Sequence, residues 1–222
     1  AVPTAGSVKI DGSNLGSALA GTIAATRLSA NTEAGFSIVK WTGSGSNATI
    51  GHGLSEAPTY ISVKNLTDTY NWFYGGPFFT NGWSDWMHWN KTDEQGNNSA
   101  DAWNSAAPTA SVFSVGSAYN SISSKDYIAY CFHSVEGYSK VGSYVGNADN
   151  DGTFIYTGFA PAYIWIKNID SAYDWYQTDN KRAPYNERNK TLYLNNNNAE
   201  ETYSWVDLDS NGFKIRTSGS GV

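Results

Sequence analysis

One eight-residue stretch occurs twice in this chain, and any fold proposed for it has to accommodate both copies. Pro58-Thr59-Tyr60-Ile61-Ser62-Val63-Lys64-Asn65 is answered by Pro161-Ala162-Tyr163-Ile164-Trp165-Ile166-Lys167-Asn168, 103 residues further on. The match extends outward. Gly35-Phe36-Ser37 corresponds to Gly137-Tyr138-Ser139, Gly51-His52-Gly53-Leu54 to Thr157-Gly158-Phe159-Ala160, and Tyr70-Asn71-Trp72 to Tyr173-Asp174-Trp175. Self-similarity at a fixed spacing marks one supersecondary unit used twice. In each copy the Tyr-Ile-x-Val/Ile-Lys run joins aromatic and β-branched residues behind a proline and ahead of Asn, Asp and Ser, which predicts a short strand entered at a position that needs no ladder donor.

Composition agrees with an all-β chain. Charged residues make up 15% and aromatic residues another 15%, where a soluble domain usually carries about a quarter charged residues. Solubility therefore rests on hydroxyl and amide side chains. A formal charge of −6 with no basic run argues against a nucleic-acid groove, which needs clustered Lys and Arg. No apolar stretch is long enough to insert in a membrane, and the start lacks the basic and apolar regions of a signal peptide. The Ala1-Val2-Pro3-Thr4 opening fits removal of an initiator Met or the edge of an expressed piece. The lone cysteine, Cys131, excludes a disulfide within the chain.

Residues 1–34 are small and nearly free of aromatics, and are expected to form an N-terminal arm or attachment segment. Val8-Lys9-Ile10 suits a strand, and Leu15, Leu19 and Ile23, four apart, suit one face of a short helix capped by Ser13 or Asn14. Residues 35–222 are expected to form the duplicated β domain, copy one spanning 35–136 and copy two 137–222. Copy one runs through a strand at Phe36–Trp41, the central strand, an aromatic block from Tyr70 to Trp89, a strand near Val112–Val115 and a closing strand at Tyr127–His133, where Ile128, Tyr130 and Phe132 share a face. Copy two repeats the order as far as Gly212–Arg216. A counterpart of the closing strand is expected next, either from further chain or from a neighbouring segment, because an unpaired sheet edge invites association.

Taken together, Gly35-Phe36-Ser37 through Trp41-Thr42-Gly43, the two central strands, Trp103-Asn104-Ser105, and Tyr127-Ile128-Ala129-Tyr130-Cys131-Phe132 running into Glu136-Gly137-Tyr138-Ser139 resemble the lectin-like repeat domain of marine tailed-phage (cyanophage-type) fibre and virion structural proteins. The opening Ala1–Val8 segment resembles the start of such proteins. The resemblance covers about residues 35–222. It implies a concanavalin-like or jelly-roll β-sandwich on a virion, assembled in the host cytoplasm as a tail fibre, capsid fibre or decoration protein, with no catalytic residues to carry over. The partners it implies are other virion proteins docking at the N-terminal arm, further copies of the chain, and host surface polysaccharide. The second reading is a carbohydrate-binding module.

The residues offer few sites. Trp83, Trp86 and Trp89 with Asp85, Asn81 and Asn90 combine ring faces with amide and carboxylate groups, as a glycan site requires, although large rings are also what a sandwich core or a subunit interface needs, and that is the favoured reading. Asn147, Asp149 and Asp151 ahead of Gly152 alternate like the start of a calcium loop, but Gly158 stands where the bidentate Glu belongs, so a solvated turn is the competing reading. Cys131 and His133 lack a completing ligand, His52 and His88 lack a triad partner in sequence, and Glu200 and Glu201 would point to opposite faces of a strand. A non-enzymatic role without a required cofactor is the expectation.

Overall fold

The computed structural model describes residues 6–15 and 19–222. It is an all-β protein of two compact units: Ala1–His88 with Gln95–Val135, and Trp89–Glu94 with Glu136–Val222. Among the described residues, no helix is long and apolar enough to cross a membrane.

The first unit contains β1 (Val8–Ile10), β2 (Ser13–Asn14), β3 (Arg27–Asn31), β4 (Phe36–Thr42), β5 (Ala48–Gly51), β6 (Tyr60–Asn65), β7 (Phe73–Gly75), β8 (Met87–His88), β9 (Val112–Val115) and β10 (Asp126–Phe132). Eight of them form one sheet in the order β2-β1-β3-β4-β10-β6-β7-β8, while β5 and β9 pair as a second sheet. Alternation decides which side chains lie between the sheets. Ser37, Val39 and Trp41 of β4 and Tyr127, Ala129 and Cys131 of β10 point inward, so Ile128, Tyr130 and Phe132 take the outer face. Val39, Trp41, Ile61, Val63, Ala129 and Cys131 share a core with Ile50, Phe113 and Val115 of the smaller sheet, giving a β-sandwich.

The N-terminal segment differs from the expectation of a separate arm. β1 lies parallel to β3 and β3 antiparallel to β4, so β1, β2 and β3 extend the main sheet. Leu15, Leu19 and Ile23 do pack on the core, as their spacing suggests, but the described residues among 13–23 are not helical: β2 folds back on β1 and Gly21 bridges Ile50. Residues 1–5 of the expected phage-like opening Ala1–Val8, and the middle of the proposed helix at 16–18, lie outside the described residues.

The second unit contains β11 (Phe154–Tyr156), β12 (Tyr163–Ile166), β13 (Tyr176–Asp179), β14 (Arg188–Tyr193), β15 (Glu201–Asp209) and β16 (Gly212–Ile215), in one sheet ordered β11-β16-β15-β14-β13-β12. It curls until Ile155 of one outer strand and Ile164 of the other pack on the same cluster around Trp205, Phe213 and Ile215.

The duplication is legible as hairpin registers. β6 and β7 place Ile61 opposite Gly75, Ser62 opposite Tyr74 and Val63 opposite Phe73. Shifted by the repeat offset, the same pairs recur as Ile164–Thr178, Trp165–Gln177 and Ile166–Tyr176. β5 and β9 also have an antiparallel counterpart in β11 and β16, but not at the repeat offset: Ile50–Phe113 and Gly51–Val112 match Ile155–Phe213 and Tyr156–Gly212 only with shifts of 105 and 100 residues, one residue off the sequence match of Gly51 with Thr157. The Lys-Asn end of the repeated stretch has a structural reason. Lys64 Nζ donates to the carbonyls of Asn65 and Tyr70, both at 2.8 Å, and Lys167 Nζ to those of Asn168 and Ser171 at 2.5 and 3.1 Å. Asn65 Oδ1 accepts from Thr67 N and Asp68 N, and Asn168 Oδ1 from Asp170 N. Each copy thus closes its strand with an Asx turn held by a lysine.

The copies differ in what surrounds the hairpin. β6 sits between β7 and β10, whereas β12 ends its sheet. Tyr60 is accordingly 3% exposed and Tyr163 48%. The Tyr138 segment, expected to repeat β4, forms no strand, and Tyr138 is exposed. β4 is paired on both edges, with β3 and β10, and neither neighbour has a counterpart among the described residues of the second unit. Copy two therefore lacks two of copy one's strands here, where the sequence suggested that it lacks only the closing one.

Candidate functional site

The expected sugar cluster does not assemble as one surface. Trp83 and Trp86 are buried in the first unit: Trp83 packs edge-on against Trp103 at 5.5 Å, and Trp86 lies against Phe73 and Tyr119. Asp85, also buried, is a structural acceptor. Its Oδ2 takes Asn81 N at 2.9 Å and Asn81 Nδ2 at 3.0 Å, and its Oδ1 takes Asn98 N at 2.9 Å, pinning the loop around the short 3₁₀ turn Gly82–Ser84. Asn81 is exposed but engaged in that network, while Asn90 is exposed. Trp89 belongs to the second unit, where it stacks on Trp175 at 4.9 Å. Rings committed to core cannot offer a face to a sugar, so the packing reading holds for Trp83 and Trp86.

The calcium-like loop is a run of turns. Asp149 N bonds Asn147 Oδ1 at 3.2 Å, Asp151 N bonds Asp149 Oδ1 at 2.9 Å, and Asp151 is ion-paired with Lys214. Lys214 holds the Asp151 carboxyl below its usual range, first through the hydrogen bond and then through its charge. Among the described residues, no group of three or more His, Cys, Asp or Glu gathers as a metal set.

The histidines and the cysteine are engaged in hydrogen bonds and packing. Buried His52 accepts from Leu54 N at Nδ1, 3.1 Å away, so Nε2 carries the proton and donates to Thr109 O, also at 3.1 Å. Burial pushes its pKa below 6.5; the Thr109 bond opposes that shift and His133 adds to it. The unfolded chain therefore binds the extra proton first, and stability falls as pH drops below about 6.5. Carboxylates such as Asp126, held low mainly by Lys40 and Thr42, act only in the more acid range near pH 4. Comparing thermal unfolding of the wild type and His52→Gln between pH 7.5 and 5 should show a fall in the wild type that the variant lacks; parallel curves would refute this role. His133 Nδ1 lies 2.9 Å from Ser134 O, His88 packs edge-on against Phe73, and burial pushes the Cys131 thiol well up. Glu200 pairs with Arg182 and Lys190, while Glu201 accepts from Tyr193 Oη at 2.7 Å, so the two carboxylates serve different neighbours.

The surface best suited to a ligand lies on the second unit and was missed by sequence reasoning. The β12–β13 register sets Tyr163 opposite Asp179 and Trp165 opposite Gln177, placing all four on one face. Tyr163 and Trp165 are exposed and meet edge-on at 6.1 Å. Tyr163 Oη donates to Gln177 Oε1 at 2.6 Å, and Asp179 Oδ2 receives Arg182 Nε at 2.6 Å, whose NH1 reaches Glu200 at 2.9 Å. Lys167, beyond the end of β12, is pushed down to about 8 by burial, against the pull of Asp93, Asp174 and Glu94. Rings beside fixed amide, carboxylate and guanidinium groups can stack on the apolar face of a sugar while bonding its hydroxyls. The available signal was the repeated tyrosine itself, in the copy whose flanking strand is missing.

No curated protein and no solved structure matches the chain. The chain belongs to the DUF7483 family, a domain of unknown function, whose model matches residues 10–222.

Proposed function

We propose that this chain is a non-enzymatic structural component of a phage virion, a tail fibre, capsid fibre or decoration protein. In this reading it also contributes to host adhesion by contacting cell-surface glycan with the outer face of β12 and β13. The virion assignment rests on the sequence resemblance. The adhesive part is supported by one observation: Tyr163 and Trp165 stand exposed beside Gln177 and Asp179 on a sheet, while Trp83 and Trp86 are spent on core. A rigid strand pair presents such rings without an ordering cost on binding.

Two measurements test the two parts separately. Immunogold labelling of purified particles should place the chain on the virion, and labelling absent from particles would remove that assignment. On an array of bacterial surface polysaccharides, the wild type should bind and Tyr163→Ala should bind about tenfold more weakly, the loss of one aromatic contact of about 1.4 kcal/mol. Equal binding by the two proteins, or none by either, would remove the adhesive reading.

A further inference from the structure

The face of the second unit that carries Tyr163 and Trp165 continues across two more strands. Gln177 of β13 faces Leu192 of β14, so Lys190, two residues away, points to the same side, and Lys190 in turn faces Thr202 of β15. The face therefore has an aromatic half on β12 and a polar half built on Asp179, Lys190 and Thr202, with Arg182 and Glu200 joining from the flanking loops.

Every charge named on the polar half has an opposite charge beside it. Arg182 Nε lies 2.6 Å from Asp179 Oδ2 and Arg182 Nη1 lies 2.9 Å from Glu200 Oε2. Lys190 Nζ is 3.6 Å from the other oxygen of Glu200 and 3.4 Å from Thr202 Oγ1. Asp179, Arg182, Glu200 and Lys190 thus form one alternating row whose formal charges cancel. Beyond the other end of β12, Lys167 directs its ammonium to the Asn168 and Ser171 carbonyls and lies in the field of three carboxylates, Asp93, Asp174 and Glu94. An anionic ligand laid on this face meets cations that are already matched, and has to displace a resident carboxylate to reach one.

What stays uncommitted is neutral. Tyr163 Oη donates to Gln177 Oε1, which leaves the lone pairs of the tyrosine hydroxyl and both amide donors of Gln177; among the described residues, no protein group bonds Gln177 Nε2. Thr202 accepts from Lys190 and keeps its own hydroxyl proton. An amide, two hydroxyls and ring faces match the hydroxyl groups and C–H faces of an uncharged sugar.

Resting on the glycan reading of this face, we propose that its ligand is a neutral hexose polymer, and that the mutually paired Asp179, Arg182, Glu200 and Lys190 exclude polysaccharides bearing uronate, sulfate or phosphate groups. Specificity of this kind comes as much from what the site rejects as from what it holds, and the formal charge of −6 opposes the approach of a polyanion as well.

Isothermal titration of the wild type with a glucan, a mannan and a galactan, each beside its sulfated derivative, tests this. At least one neutral polymer should bind about tenfold or more tightly than its sulfated form, with an affinity that changes less than about twofold between about 50 and about 500 mM NaCl. Glu200→Gln leaves Lys190 and one end of Arg182 without a carboxylate, and should narrow that preference about tenfold while the circular dichroism is unchanged. A sulfated polymer preferred by the wild type, released by salt and lost in Tyr163→Ala, overturns the inference while the adhesive reading stands, and so does a preference that Glu200→Gln leaves untouched. Binding to none of the six polymers by a protein that binds elsewhere on the polysaccharide array overturns the inference alone. Binding to nothing in either experiment removes the adhesive reading together with it.

Discussion

Replacing Trp41 with alanine is expected to cost the first unit about 3–5 kcal/mol of stability, the range for deleting a fully buried large aromatic side chain. Trp41 has no exposed surface and ties the two sheets together. It stacks on Tyr127 of β10 at 5.3 Å and meets Phe113 of β9 edge-on at 5.6 Å, and its Nε1 donates to Asn120 O at 3.1 Å. Alanine removes the contacts, opens a cavity and leaves the Asn120 carbonyl without this donor. Urea unfolding followed by circular dichroism measures the loss. Trp41→Phe should recover part of it, because it refills volume without restoring the hydrogen bond. A loss under about 1 kcal/mol for the alanine variant would mean that the two sheets do not share this core.

Asp85→Ala is expected to cost about 3 kcal/mol, because three donors lose one buried carboxylate acceptor at once. Asp85→Asn should cost less, since it keeps the shape and one acceptor oxygen. The pair also separates two roles for this residue. As a loop-pinning acceptor, Asp85 affects unfolding and leaves polysaccharide binding by the remaining folded protein unchanged. A variant that melts like the wild type but no longer binds would instead restore Asp85 to a binding site.

The central strands, their bounding turns and the all-β class were readable because period-two alternation and Pro/Asn punctuation are local signals. The aromatic block was not readable in the same way. Trp83, Trp86 and Trp89 are three apart, yet two enter the core of the first unit and the third stacks on Trp175 in the second. Ring spacing along the chain cannot tell a buried ring from a presented one, since both are large and apolar. Residues 8–31 misled for a related reason: small residues and glycines hide strands whose partners, β3 for β1 and Ile50 for Gly21, lie well along the chain.

By itself, the sequence determined the repeated strand and the turn that closes it, because both are settled between residues close together in the chain. Only the tertiary structure decided what each copy does with the hairpin. Burial depends on strands supplied from elsewhere: β10 crosses beside β6 and buries Tyr60, while β12 ends its sheet and leaves Tyr163 on the surface. The same eight-residue pattern is thus core in one unit and candidate contact surface in the other.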